Sequence, residues 1–276
     1  MKPLCNRHED APIGVFDSGV GGLTVAAALA RRLPSERLLY LGDIARLPYG
    51  TKAPETVIRY ALQAGRFLAG RGVKMLVVAC NTASAHALPA LAAAHPGLPV
   101  LGVVEAGAAA AAQGSAGGRI VVIATEGTCR SGAFERAILG RRPAAEIACV
   151  PCPLFVALAE EGLTSGPIAE GVARQYLDPW FSGAHRHDCI VLGCTHFPLL
   201  AATVRRVIGD GPIIVDCADA VADAAARLLA EHGLAAADGR TGDIRLVTTD
   251  APDRFARVAG RFFPNLQAPP PELVDL

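Results

Sequence analysis

Two short apolar runs, each ending at a cysteine, constrain this chain more than any other feature. One covers Val73 to Ala79, broken only by Lys74, and leads into Cys80-Asn81-Thr82. The other, Cys189 to Leu192, is closed by Gly193 and followed by Cys194-Thr195-His196. Apolar runs of this length, without polar alternation, suit strands covered on both faces, as in parallel sheets flanked by helices. In open sheets of that kind, ligands bind beyond the carboxyl ends of the strands. Two thiols at two such ends are the arrangement that needs a reason.

The rest of the chain alternates short apolar runs with longer Ala-rich helical stretches, which predicts a parallel α/β sheet. Strands are expected at 13–16, 38–41, 73–79, 99–104, 119–124, 146–150, 189–192, 213–215 and 243–248. Helices are expected at about 23–33, 54–69, from 84, through 137, at 153–161, 167–182, 218–231 and 252–262. Residues 106–118 are rich in Ala and Gly and read as part helix, part linker, after which the pattern restarts. In each half, a first strand with a Gly-containing turn precedes a cysteine strand with a Thr-bearing turn. This coarse repeat predicts two similar parallel-sheet α/β lobes, related by pseudo-twofold symmetry, that face each other across a cleft. The Pro-rich tail at 269–271 is expected to be mobile.

Composition narrows the function. With 276 residues and 51% apolar content, the chain can bury a large core and has room for two domains. Its formal net charge of zero leaves no basic footprint for nucleic acid and no polybasic anchor for a membrane. The longest stretch free of Asp, Glu, Lys and Arg, Met75 to Val104, contains Asn81, two histidines and three prolines, unlike a membrane span. The polar start, with Arg7, His8, Glu9 and Asp10, has no secretory signal, so the eight scattered cysteines are expected as reduced thiols in the cytoplasm.

A thiol ionises near pH 8.5, within reach of a modest electropositive field or a neighbouring base. Each cysteine precedes an expected helix start, and Cys194 has His196 nearby. Two thiols on opposite sides of a carbon can remove a proton from one face and deliver one to the other, inverting a stereocentre. Acyl transfer needs only one thiol and one base, so the paired layout fits racemisation better. Asp17, at the end of the first strand, is the candidate acid, and Ser18, Asn81, Thr82, Thr128 and Thr195 are candidate donors for a carboxylate. Taken singly, each of these is more often a turn or cap residue. Gly19-Val20-Gly21-Gly22 imitates a dinucleotide loop, but Thr24 stands at its third glycine position. Cys149-Val-Pro-Cys152 matches a redox or zinc pair without a second such pair. A metal or redox protein and a non-catalytic amino-acid-binding module remain alternatives at this point.

Five segments together resemble the glutamate racemase family: Asp17 to Val25, Gly42 to Gly50, Ala79 to Ala85, Cys152 to Val156 with Glu160-Glu161-Gly162, and Leu192 to Leu200. They occur in the family's order and cover about residues 13–220. Ile44, Ala106, Cys129 and Cys217 depart from its usual pattern. The resemblance implies a cytoplasmic, cofactor-independent enzyme with no metal that interconverts L- and D-glutamate and supplies D-glutamate for peptidoglycan. It implies a first lobe of residues 1–104 plus 217–276 and a second of 105–216. By motif, Cys80 acts on the D-enantiomer, assisted by Asp17, and Cys194 on the L-enantiomer, assisted by His196 and Glu160, with Glu161 the adjacent alternative. Ser18, Pro48, Tyr49, Gly50, Asn81, Thr82, Thr128 and Thr195, with Asp17 and His196, are then expected to hold the substrate. An aspartate or hydantoin racemase is the nearest rival, and the oligomeric state, a homodimer included, is left open.

Overall fold

The first lobe begins with a strand of five buried residues, β1 (Ile13–Asp17), followed by helix α1 (Leu23–Arg32) and strand β2 (Leu38–Gly42). Helix α2 (Pro54–Gly70), strand β3 (Met75–Val78), helix α3 (Asn81–Ala94), strand β4 (Val100–Gly102) and helix α4 (Val103–Gly114) come next. The second sheet is built from β5 (Arg119–Ala124), β6 (Glu146–Pro151), β7 (Cys189–Gly193) and β8 (Ile213–Asp216). Between them lie α5 (Glu126–Ser131), α6 (Ala133–Leu139), α7 (Pro153–Glu161), α8 (Pro167–Phe181) and α9 (Ala201–Ile208). The chain then returns to the first lobe through α10 (Cys217–Glu231), β9 (Ile244–Thr248), α11 (Pro252–Phe262) and β10 (Glu272–Leu273). This computed structural model describes residues 9–183, 186–237, 239–263 and 268–276; Cys5 lies outside them.

Every strand pairing is parallel, in one six-stranded and one four-stranded sheet. The first sheet runs β10-β9-β2-β1-β3-β4 and the second β6-β5-β7-β8. Within them, β2-β1-β3-β4 and β6-β5-β7-β8 repeat one order, with the cysteine strand beside the first strand of each lobe. Both faces of the first sheet are covered, as the continuous apolar runs require. Ile13, Val15, Met75 and Val77 face a core shared with the second lobe, whereas Phe16, Leu76 and Val78 face a separate core under α2 and α3. Lys74, the break in the β3 run, is fully buried and pairs with Glu36 at 2.6 Å, so its charge is matched rather than stranded.

Two local expectations, a strand end and a helix start, are corrected. The strand expected to 104 ends at Gly102, and the Ala/Gly-rich stretch after it is helix as far as Gly114 and a short connection over 115–118. Its small residues permit a close approach to α10: a Cβ at Gly107 would lie 2.4 Å from Cys217 Sγ. Ala106 sits in the first turn of that helix. Helix α3 starts at Asn81, three residues before the position expected from the apolar pattern, because the polar Asn81-Thr82 pair forms its first turn. Just after the Pro-rich run at 269–271 the chain forms a strand at 272–273 that the sequence pattern does not predict. There β10 pairs with β9, Arg71 pairs with Glu272, and Val274 and Leu276 pack on the first lobe's core.

Candidate active site

Parallel pairing of β1 with β3 places the end of β1 beside Cys80, with Ala79 N donating to Phe16 O at 2.8 Å. Asp17 ends β1 fully buried, accepting from Gly19 N at 3.0 Å on Oδ2, while its Oδ1 has no hydrogen-bond partner. Burial raises its pKa, opposed by the His196 charge and by the N–H groups of Gly22, Gly19 and Ser18. Gly22 is required here because a Cβ would come within 2.5 Å of the Asp17 Cβ. Cys80 caps α3: its Sγ accepts from Ala83 N at 3.4 Å, and the thiol reaches Ser18 Oγ at 3.5 Å. Burial, then the neighbouring Asp17 charge, pushes the thiol up to about 12, against the pull of Ser18 and the Ala83 N–H. The helix start therefore only partly offsets burial, and Cys80 rests as a neutral thiol.

The second thiol has a different neighbourhood. Cys194 follows β7 and lies 3.7 Å from His196 Nδ1, while His196 Nε2 lies 3.1 Å from Glu160 Oε1. Burial works against a charged imidazole, yet hydrogen bonds to Cys194 and Glu160 and the Asp17 charge raise its pKa to about 10. His196 therefore stands as an imidazolium beside Cys194, and its hydrogen bond lowers the pKa of Glu160. Glu160 reaches it from the last turn of α7, which closes at Gly162 with φ 77°. Glu161, the neighbouring candidate, does not line the thiol cavity; it lines an adjoining 180 Å³ cavity with Arg254 and Arg257, to which Glu160 also contributes. After His196 the chain makes a single 3₁₀ turn at Phe197–Leu200 carrying Pro198, with α9 beginning at Ala201.

Both thiols line one cavity of about 360 Å³ between the lobes, and each is only 6% exposed. Of the candidates named from the sequence, Ser18, Pro48, Tyr49, Gly50, Asn81, Thr82, Thr195, His196 and Glu160 line it too. The loop carrying Pro48 to Gly50 is pinned from beneath by the buried Asp43. That carboxylate accepts from the Tyr49 hydroxyl, from Arg46 Nε at 3.0 Å and from Thr249 Oγ1 at 3.0 Å. Asn81 Oδ1 is a buried acceptor with no partner. Two expected residues stand behind the wall: Asp17, and Thr128, whose hydroxyl meets Thr82 Oγ1 at 3.1 Å. Sequence reasoning missed Thr125, which lines the cavity and closes a hydroxyl triangle with Thr82 and Thr128 at 3.0 Å each. Its position at the end of β5, equivalent to Asp17 at the end of β1, was the available signal. Leu47 and Val156, which lie within the quoted segments but were not singled out, and Ala157 form an apolar part of the wall.

The lobes touch closely around this cavity. A Cβ on Gly21 would lie 2.4 Å from Thr195 Oγ1, and Thr24 Oγ1 donates to Thr195 O at 3.2 Å. Gly21 serves contact with the opposite lobe and Gly22 makes room for Asp17, which removes the reason to read a dinucleotide loop. The expectation of reduced thiols fails at one pair: Cys129 and Cys149, with Cα atoms 5.5 Å apart, form a disulfide. The spacing is within ordinary disulfide reach and arises because α5 folds back onto β6. Cys149 thus turns away from Cys152, so the C-x-x-C segment is not a bonded pair. Among the described residues, no cluster of three metal-ligating side chains occurs, and no helix is long and apolar enough to cross a membrane.

A cleft between two parallel α/β lobes, with one thiol from each side and a separate acid partner behind each, defines the two-thiol amino-acid racemases as a class. A family model described as Asp/Glu/Hydantoin racemase matches residues 23–225. The chain belongs to that family. A glutamate racemase of Geobacter metallireducens is 47% identical over 91% of this chain and 92% of its own length. The crystal structure of a glutamate racemase from Bacillus anthracis superposes with a TM-score of 0.91 at 35% identity, covering 98% of this chain and 99% of that one. A Francisella tularensis glutamate racemase in complex with D-glutamate gives 0.88 at 35% identity over 97% and 98% of the two chains.

Proposed function

We propose that this protein is a glutamate racemase in which Cys80 and Cys194 pass a proton across Cα. The observation that carries the reading is the shared cavity: both thiols line it, one backed by Ser18 and Asp17 and the other by His196 and Glu160. Starting from L-glutamate, Cys194 as a thiolate beside the His196 cation takes the Cα proton. The neutral Cys80 thiol then gives its proton to the opposite face. The electron pair left on Cα forms the new C–H bond, and the two sulfurs exchange protonation states. D-glutamate runs the sequence in reverse. The apolar wall and the near-complete burial of both thiols keep water from competing with the transfer.

Glutamate brings two carboxylates and an ammonium. The unpartnered Asn81 Oδ1 in the cavity wall is an acceptor suited to the ammonium, and Asp17, with its Oδ1 unpartnered behind the wall, adds a buried carboxylate on the Cys80 side. The N–H groups at the start of α3 lack acceptors within the helix, and with the hydroxyls of Ser18, Thr82, Thr125 and Thr195 they suit carboxylates. Thr128 acts on Thr82 and Thr125 from behind. In this reading no cofactor is needed, the product serves peptidoglycan synthesis, and the enzyme works in the cytoplasm. The division into residues 1–104 plus 217–276 and 105–216 belongs to the same reading, supported by the two separate sheets.

Incubation in deuterated water without added cofactor tests it: D-glutamate should gain deuterium at Cα and racemise, and D-aspartate should not. Exchange confined to aspartate would end the glutamate assignment, and binding without exchange would leave only a binding module. Cys80→Ser and Cys194→Ser should each lower kcat/KM by about 10³-fold or more, since each removes the proton carrier on one face. Substantial racemisation by either variant would contradict the two-thiol scheme.

A further inference from the structure

The His196–Glu160 pair belongs to the second lobe, but the side chains that fix it come from the end of the first. Helix α11 is anchored there by Phe255 and Ala259, both buried, with the Phe255 ring 6.1 Å from that of Tyr40. One turn beyond Ala259, Phe262 is 2% exposed and meets the His196 ring edge-on, centroids 5.2 Å apart at 82°. The neighbouring Arg261 donates from Nη1 to the main-chain oxygen of Glu160. That oxygen lies in the last turn of α7, where carbonyls have no partner within the helix and a cation is favourable. An imidazole held only at its two nitrogens still rocks about the axis joining them; a buried ring packed nearly perpendicular to it restricts that freedom.

We propose that Arg261 and Phe262 are positioning residues: α11 of the first lobe holds the His196–Glu160 pair of the second in the geometry that serves proton transfer at Cys194. Neither side chain lines the cavity that holds the two thiols. Both act through other groups, Phe262 on the ring and Arg261 on the helix end that presents the carboxylate. The pair at Cys194 is therefore complete only when the lobes are together, whereas Ser18 and Asp17 at Cys80 come from the first lobe alone. The inference rests on the racemase reading above.

The test uses Arg261→Gln, Arg261→Lys and Phe262→Leu in the full chain, with L- and D-glutamate carrying deuterium at Cα. The enantiomers are equal in energy, so kcat/KM must stay equal in the two directions for every variant. The isotope effects need not. Slowing transfer at Cys194 makes that step more limiting, so the kcat/KM isotope effect should rise with labelled L-glutamate and fall with labelled D-glutamate. Arg261→Gln and Phe262→Leu should lower kcat about tenfold with KM changed less than about twofold, the pattern of an interaction that matters in the transition state. Arg261→Lys should keep most of the activity. Isotope effects that stay as in the parent, or a rise in KM at unchanged kcat, would overturn the proposal and leave a packing role only. If Phe262→Leu does not fold, Arg261→Gln carries the test alone. Failure of the unsubstituted protein to racemise glutamate would instead sink the racemase reading, so the two failures are distinguishable.

Discussion

At the scale of single residues, the two thiols are chemically unequal. Cys80 is a neutral thiol raised to about 12 by burial and Asp17, whereas Cys194 has an imidazolium beside it. A thiolate formed at Cys194 has a partner charge; one formed at Cys80 relies on Ser18 and the Ala83 N–H. The His196 value of about 10 lies above the 6.5 of a free imidazole, which fixes the sign of two pH effects. Its contribution to stability is fully present below about 6.5 and is lost as pH rises through about 10. Turnover should fall over that same alkaline range as His196 loses its proton. In His196→Asn the fall near pH 10 should be absent from a kcat profile that is already lower by about 10². An unchanged alkaline limb in that variant would assign the limb to another group.

At the scale of elements, the site depends on helices that approach unusually closely. Helix α4 packs against α10 and α6, and so links the two sheets. Gly107 allows this, since a Cβ there would meet Cys217 Sγ at 2.4 Å. Gly107→Ala should therefore destabilise the protein by about 1–3 kcal/mol, as added volume does in a packed core. A denaturant titration reads this, and adding Cys217→Ala should recover part of the loss by removing the sulfur. The same logic explains why the Ala/Gly-rich sequence is helical as far as Gly114: small side chains let helix axes approach, and Ala is the best helix former. The 3₁₀ turn after His196 is equally local, with Pro198 unable to donate to a helical ladder.

At the scale of the whole molecule, the cleft is closed around a cavity of about 360 Å³ whose two thiols are almost inaccessible. Gly21 against Thr195, and Thr24 bonded to its main chain, hold the lobes together on one side. Thr82 with Thr125 and Thr128 joins them on another. Substrate entry requires these contacts to part, and bound glutamate should hold them shut. D-glutamate should raise the melting temperature and slow alkylation of Cys80 and Cys194. Cys189 and Cys217, buried in the cores, should show no such dependence. Alkylation of the two cavity thiols at the same rate with and without glutamate would count against closure on the substrate.

The sequence by itself determined the strands, their parallel pairing and the two cysteine ends, because buried parallel strands must be continuously apolar and a turn must follow each. It also placed Asp17 and His196 among the candidates, since charged or titratable groups near such ends are few, whereas Glu160, with Glu161 beside it, entered only through the resemblance to the racemase family. Only the tertiary structure separated Glu160 from Glu161, put Thr125 in the wall and Thr128 behind it, and joined Cys129 to Cys149. Each of those depends on which side of an element faces a partner far away in the chain. Spacing along a sequence fixes local geometry, while the distance between His196 and Glu160, or between Phe262 and His196, is set by how two lobes pack. The same distinction makes the two thiols unequal: the residues name them alike, and burial with their neighbours sets them apart.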